Sequence, residues 1–375
     1  MKIILTGGGT GGHFYPLIAV AEEINKEVEE KRLLEAKLYY MAPTPYDERL
    51  LFNNHITFIP TSAGKMRKYF SILNFTDVFK TGWGMMKALW KVFTIFPDVV
   101  FGKGGYVSFP AVFAARILGI PVVIHESDSV PGRMNLWAGR FAKRIAISYP
   151  SAAEFFPKDR VALTGNPIRS ELKTVQSQGA LEYLKLEPGV PVILVMGGSS
   201  GSQIMNANLI DALPWILKGY QVIHQTGKEN YVDVVETASV LIEKHENKSR
   251  YHAFEYLDTL AERMSAGVAD LIISRAGGTI FEIAIWGIPA ILIPITESNG
   301  DHQRKNAYAY ARSGAAVVIE EANLNHHIIE EEVARIMANP ELREKMRKAA
   351  QGFARPDAAK LIAGEIISIA LQHEK

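Results

Sequence analysis

The feature that most constrains this chain is a recurrence. Short β-branched apolar runs alternate with stretches of helical periodicity along its whole length. The runs are Ile3–Leu5, Leu38–Met41, Asp98–Phe101, Val122–Ile124 and Ile145–Ile147, then Val192–Met196, Val222–Gln225, Asp270–Ser274, Ala290–Ile293 and Ala315–Ile319. Strands joined through helices pair in parallel, because each helix carries the chain back across the sheet. The expected fold class is α/β, built from doubly wound parallel sheets. At 375 residues the chain exceeds what one core usually serves. The two series are separated by Phe155-Phe156-Pro157, Gly165-Asn166-Pro167 and a polar stretch reaching Pro191, where two domains divide.

The halves echo one another. Ile3-Ile4-Leu5-Thr6 runs into Gly7-Gly8-Gly9-Thr10-Gly11-Gly12, and Ile193-Leu194-Val195-Met196 into Gly197-Gly198-Ser199-Ser200-Gly201. The first turn formally contains G-x-G-x-x-G ahead of a helix expected over Leu17–Val28. A dinucleotide site also needs an acid at the end of the second strand, and that strand ends Tyr40-Met41-Ala42-Pro43. No Gly-Lys pair is followed by Ser or Thr, so a P-loop is not expected. Glycine turns at helix starts still offer unpaired amide donors and the positive end of the helix dipole, which suit phosphate. The turns at Gly197–Gly201 and Gly277-Gly278-Thr279 lie in one half and could share a diphosphate. Gly7–Gly12 lies in the other, followed by His13, an ionisable group beside an anion-friendly backbone.

Composition narrows the chemistry further. With no cysteine, disulfides, thiolate metal sites and a cysteine nucleophile are excluded. Neither D-x-D nor H-E-x-x-H occurs, and His326-His327 is read as lacking a partner at helical spacing, so no metal site is expected. A net charge of +1 argues against nucleic acid as a partner. The start, Met1-Lys2-Ile3-Ile4-Leu5, is too short for a signal-peptide core, and the longest apolar candidate, Ala284 to Ile295, is broken by Gly287, Pro289 and Pro294. A cytoplasmic chain that does not cross a membrane is expected.

Five segments then combine: Gly8-Gly9-Thr10-Gly11-Gly12-His13-Phe14-Tyr15-Pro16, Gly102-Lys103-Gly104-Gly105-Tyr106-Val107-Ser108, His125-Glu126-Ser127-Asp128-Ser129-Val130-Pro131-Gly132, Gly165-Asn166-Pro167-Ile168-Arg169 and Ser274-Arg275-Ala276-Gly277-Gly278-Thr279. Together and in this order they resemble the MurG family, the peptidoglycan N-acetylglucosaminyltransferases that convert lipid I to lipid II, over nearly the whole chain. The resemblance implies a GT-B fold, two Rossmann-like domains with an interdomain cleft. Residues 1–164 would form an acceptor-binding, membrane-associating domain and 165–355 a UDP-GlcNAc-binding domain, with 356–375 a helix returning to the first.

The resemblance also implies roles by position. Glu282 would take the uridine ribose hydroxyls, and Gly198, Ser199, Gly278 and Thr279 the donor diphosphate. Gln303 and Asn306 would hold the donor sugar and its surroundings, and Arg169 would sit near phosphates or the domain junction. Thr10, Gly11, Gly12 and Asn135 would bind on the acceptor side. The acceptor hydroxyl must lose a proton as it attacks, and His13, with an ordinary pKa near neutrality, is the first candidate base and Glu126 the second. His13 could instead only bind the acceptor pyrophosphate, and His125-Glu126 could only order their loop. The chain departs from better-known members at Ser200, at His302 and at Ser127-Asp128, positions that touch single hydrogen bonds and not the reaction. No cofactor is implied.

Between Lys65 and Lys91 stand Lys65, Arg67, Lys68, Lys80, Lys87 and Lys91 against Asp77, a local +5 in a chain of +1. Among them lie Tyr69, Phe70, Ile72, Leu73, Phe75, Phe79, Trp83, Met85, Met86, Leu89 and Trp90. Bases interleaved with large apolar groups describe a surface resting on an anionic bilayer, so peripheral attachment to the cytoplasmic face of the cell membrane is expected. The expected partners are UDP-GlcNAc, undecaprenyl-linked lipid I, the anionic inner leaflet and other cell-wall synthesis proteins. Two other readings stay open: a GT-B transferase with another lipid or natural-product acceptor, and a sugar-nucleotide-binding scaffold subunit without turnover of its own.

Overall fold

The computed structural model describes residues 1–33, 35–63, 72–198, 201–296 and 301–373. They form two compact units, one of Met1–Ser170 with Arg355–Lys375 and one of Glu171–Ala354.

The first unit holds β1 (Lys2–Thr6), α1 (Gly11–Glu30), β2 (Lys37–Ala42), α2 (Glu48–Asn53), β3 (Ile56–Pro60), α3 (Ile72–Ile95), β4 (Val99–Gly102), α4 (Phe109–Ile117), β5 (Val122–Glu126), α5 (Arg133–Ala138), β6 (Arg144–Ile147) and β7 (Val161–Leu163). The second holds α6 (Ala180–Tyr183), β8 (Val192–Met196), α7 (Gln203–Ile216), β9 (Gln221–Gln225), α8 (Tyr231–Leu241), β10 (Tyr251–Phe254), α9 (Thr259–Val268), β11 (Ala269–Ser274), α10 (Thr279–Trp286), β12 (Ala290–Leu292), α11 (His302–Ala311), β13 (Ala316–Val318), α12 (His326–Met337) and α13 (Pro340–Phe353). The last helix, α14 (Ala358–His373), belongs to the first unit.

Every pairing among the described strands is parallel. The first sheet runs β3-β2-β1-β4-β5-β6-β7 and the second β10-β9-β8-β11-β12-β13. The doubly wound α/β class expected from the alternation is what the chain adopts, twice, with the same reversal of strand order. Central strands are buried on both faces, as helix-covered parallel strands must be; all five residues of β8 are buried.

Three strands absent from the sequence reading, β3, β7 and β10, sit at sheet edges. An edge strand is half-solvated and carries a weaker apolar signature; β7 is largely exposed. The first helix also begins earlier than expected, at Gly11 rather than Leu17, with Pro16 inside it. Proline there forfeits only the bond to the Gly12 carbonyl, and Gly12 is exposed, so water can take its place. The helix α14 lies against α1, and its Ile362, Ile366, Ile369 and Ala370 join the core of β1, β2 and α1.

Candidate active site

Glycine turns follow the two strands that flank each reversal of strand order, β1 and β4 in the first unit and β8 and β11 in the second. At such a reversal adjacent loops part to opposite faces of the sheet and leave room for ligand at the carboxyl ends.

In the first unit, Gly7 has φ +151°, and a Cβ there would lie 2.8 Å from Lys103 Cβ. Only glycine lets the turn lie this close to the end of β4. Tyr40 fastens it by donating its hydroxyl to the Gly7 carbonyl at 2.6 Å. Thr10 occupies the N-cap of α1, yet its side chain caps nothing. Its hydroxyl lies 3.1 Å from Nδ1 of half-buried His13. In the tautomer with its proton on Nδ1, His13 donates to Thr10 Oγ1 and keeps a lone pair on Nε2. That nitrogen points toward the β4 turn, 3.6 Å from where a Gly105 Cβ would be. Gly11 is buried beneath Tyr15 and Tyr46, whereas Gly12 is exposed with open space beside it.

The end of β5 is knit more tightly. Glu126, 3% exposed, accepts from the Asp128 N–H at 2.9 Å, the Gly132 N–H at 3.0 Å and Asn135 Nδ2 at 2.9 Å. Burial, with the Asp128 charge adding to it, pushes its carboxyl above the ordinary range against those bonds. Asn135 also donates to the His125 carbonyl at 3.0 Å, and a Cβ on Gly104 would strike its Nδ2 at 2.8 Å. His125 is fully buried and donates from Nε2 to the Gly165 carbonyl at 2.9 Å, with Ser148 Oγ 3.1 Å away. Burial first, and the Lys103 charge second, hold its pKa well below 6.5. Arg169 is 8% exposed and stacks its guanidinium 4.4 Å from the Tyr15 ring centre, a buried cation–π contact within the first unit.

In the second unit, Gly198 turns at φ +84° after β8. Ser199 and Ser200 lie outside the described residues. Ser202 caps α7, accepting from the Met205 N–H at 3.3 Å. After β11, Gly278 caps α10, Thr279 opens it, and Glu282 is half-buried in its first turn. Gln303 accepts the Ile295 N–H at 3.2 Å, and Asn306, 1% exposed, reaches the Ala276 carbonyl at 3.5 Å. Both amides thus brace loops at the strand ends. His302 is half-buried at the start of α11.

Two residues that the sequence reading did not single out organise this half. Arg275 donates to the Ile293 carbonyl at 2.9 Å, to Ser202 Oγ and to Glu321 Oε1, while Glu321 Oε2 takes the Thr296 N–H at 3.0 Å. One fork, buried at Arg275 and half-buried at Glu321, therefore ties the β8 turn to the loops after β11 and β12. Burial raises the Glu321 carboxyl, but the bonds from Thr296 and Arg275 outweigh it and leave it below its ordinary value. Arginine directly after a β11 serine was visible in the motif; that its partner stands 46 residues on was not. Lys103 is the third omission, inside a quoted motif but given no role. Beneath the β8 turn, His224 lies between Tyr251 OH at 2.8 Å and Asn206 Oδ1 at 3.1 Å, and burial depresses it to about 3.

The reading of His326-His327 needs correction. Glu330 stands one turn on, with Oε2 3.7 Å from His327 Nδ1, and the ligand atoms of the three lie within 4.8 Å of one another. The two histidines open α12 and Glu330 stands in its second turn, at the end where the helix dipole opposes a cation.

Residues 3–147 match the glycosyltransferase family 28 N-terminal domain, and residues 192–362 match the glycosyltransferase family 28 C-terminal domain. The chain is 34% identical over 365 residues to the UDP-N-acetylglucosamine--N-acetylmuramyl-(pentapeptide) pyrophosphoryl-undecaprenol N-acetylglucosamine transferase of Halothermothrix orenii, covering 95% of each chain. It is 36% identical over 328 residues to the like-named protein of Clostridium botulinum, covering 86% of this chain and 87% of that one. Among solved structures it resembles MurG of Acinetobacter baumannii, with a TM-score of 0.73, 26% identity and coverage of 98% and 99%. A UDP-GlcNAc 2-epimerase from Neisseria meningitidis bound to UDP-GlcNAc shares the fold alone, at TM-score 0.68, 17% identity and coverage of 98% and 100%.

Proposed function

The chain belongs to glycosyltransferase family 28, and on that premise we propose that it moves N-acetylglucosamine from UDP-GlcNAc to the C4 hydroxyl of N-acetylmuramic acid in undecaprenyl-pyrophosphoryl-MurNAc-pentapeptide. It is an inverting enzyme of GT-B fold in this reading. The acceptor oxygen attacks the anomeric carbon, the bond from that carbon to UDP breaks with its electrons leaving on the phosphate, and the acceptor proton goes to a base. The single observation that carries the assignment of that base is the Thr10–His13 pair, which turns the His13 Nε2 edge toward the glycine turn after β4. Glu126 has both oxygens engaged by the loop it orders, which supports a holding role instead. The departing diphosphate is stabilised by amides at the starts of α7 and α10, without a protein-bound metal. Glu282 in the first turn of α10 takes the uridine ribose.

Attachment to the membrane runs through α3. Trp83, Met86, Trp90 and Phe93 are each more than half exposed and recur at spacings that place them on one helix face. The opposite face, Gly84, Ala88 and Val92, is buried. Lys87 and Lys91 flank the apolar stripe, and such a face suits the headgroup level of an anionic leaflet. Lys65, Arg67, Lys68, Tyr69 and Phe70 lie outside the described residues. No helix among the described residues is long and apolar enough to cross a membrane. Contact with other cell-wall synthesis proteins follows from the reaction's place at that surface.

The test is UDP release from UDP-GlcNAc with a lipid I analogue, for the native chain, His13→Ala and Glu282→Ala, with and without chelator. Turnover that needs the lipid acceptor and survives chelation supports the assignment. UDP binding without turnover favours a scaffold subunit, and turnover with soluble acceptors favours another transferase.

A further inference from the structure

Lys103 is a charged side chain sealed inside the first unit. It is 1% exposed, and its ammonium nitrogen has no hydrogen-bond partner among the described residues. A buried cation is costly unless a charge of opposite sign stands near it. Its place in the sheet brings it to the end of β5, where Glu126 and Asp128 stand. The Lys103 N–H donates to the Thr6 carbonyl at 2.9 Å, carrying the β1–β4 pairing one residue past Gly102. In the neighbouring pairing Gly102 faces Ile124, so the next step sets Lys103 beside His125 and one residue short of Glu126. Gly7, without a side chain, presses on the Lys103 stem from the other side and closes the row.

We propose that Lys103 is a positioning residue for the acceptor side of the site: its ammonium is the buried counter-charge that keeps the Glu126 carboxylate ionised, and through it holds Asn135 and the loop 127–132. Glu126 must accept three hydrogen bonds on two oxygens, which a carboxylate does and a protonated carboxyl does poorly. Desolvation and the adjacent Asp128 both oppose that ionised form. The groups that face Lys103 electrostatically are Glu126 and Asp128 past the end of β5 and His125 on β5, with His13 on α1 facing His125 in turn. Two of the four are carboxylates, and burial keeps His125 neutral at pH 7. Attraction is mutual, so carboxylates that favour the ammonium are favoured by it equally. The acceptor role of this loop rests on the transferase reading; the charge pairing does not.

The experiment has two arms on the full chain. In thermal melts, Lys103→Met and Glu126→Gln each lower the midpoint, and the double variant, with the buried Glu126 carboxylate removed, melts higher than Lys103→Met alone. Should Lys103→Met fail to fold, recovery of folding in the double variant is the supporting result. Midpoint losses that simply add, or a double variant no better folded than the single, overturn the proposal. In kinetics, Lys103→Met moves the acid limb of kcat/KM for the lipid acceptor up by about one pH unit or more and leaves the KM for UDP-GlcNAc within twofold. An unmoved limb, or a donor KM that rises equally, also overturns it. The melts need no turnover, so a native chain inactive on lipid acceptor removes the transferase reading and leaves the charge pairing to be judged separately.

Discussion

The His125 imidazole donates from Nε2 to the carbonyl oxygen of Gly165, 2.9 Å away and 40 residues further along the chain. The bond joins two of the quoted motifs, at the end of β5 and just past β7, and does so where nothing is exposed to water. Gly165 itself has φ +88°, and a Cβ there would meet the Arg355 side chain at 2.4 Å, so only glycine fits where this carbonyl is presented. Replacing the donor leaves that carbonyl buried and unsatisfied. His125→Phe is expected to lower stability by about 1–3 kcal/mol in urea unfolding. A midpoint unchanged from native would show the bond to be dispensable.

Acid tests the same logic through protonation. His224 is depressed to about 3 and His125 well below 6.5 in the folded chain, whereas unfolded histidines titrate near 6.5. Below pH 6.5 the unfolded state therefore binds protons that the folded state refuses, and stability falls. The loss is about 1.4 kcal/mol per pH unit for each histidine, continuing toward pH 3 for His224. Glu126, raised in the folded state, works in the opposite sense. Urea midpoints from pH 7.5 to 4.5 for the native chain and for His224→Gln should show a shallower fall in the variant; parallel curves would contradict the buried neutral histidine.

The proposed base role of His13 depends on one tautomer. His13→Ala is expected to lower kcat by about 10²–10⁴-fold with the KM for UDP-GlcNAc little changed. Thr10→Val removes the partner of Nδ1 and is expected to lower kcat less, because the imidazole remains. Near-native turnover in His13→Ala would end its assignment as base.

Arg275 ties together the turns proposed to hold the donor. Arg275→Met strands Glu321 and unties the β8 turn, and because Glu321 is only half-buried the cost falls below that of a fully buried pair, about 3–5 kcal/mol. The expected result is weaker UDP binding by calorimetry together with a lower melting temperature. Glu321→Gln, which retains polar contacts to Arg275 and the Thr296 N–H, should be milder. Native UDP affinity in both variants would mean that the fork does not shape the site.

At the membrane, Trp83→Ser with Trp90→Ser should reduce flotation with anionic vesicles, and Lys87→Glu with Lys91→Glu should reduce it further at low salt than at high salt. Flotation that no substitution alters would place the contact elsewhere.

How much of this was legible depended on position in the fold. Strands such as Ile3–Leu5 and Val192–Met196 announce themselves because both faces are covered and every residue must be apolar. Val161–Leu163 and Tyr251–Phe254 did not, since an edge strand can expose half its surface and still be held by backbone pairing on one side. The start of α1 was misplaced because Pro16 suggests a boundary, while an exposed Gly12 carbonyl tolerates the missing bond.

By itself the sequence determined the α/β class, its duplication and the placing of phosphate-suited turns, because periodicity and glycine are local properties that act within a few residues. Only the tertiary structure decided what the polar groups beside those turns do. Glu126 is engaged by Gly132 and Asn135, Arg275 by Glu321, and Lys103 is sealed against the Gly7 turn. Desolvation and charge pairing depend on distance through space, and distance through space between residues dozens of positions apart is set by the fold.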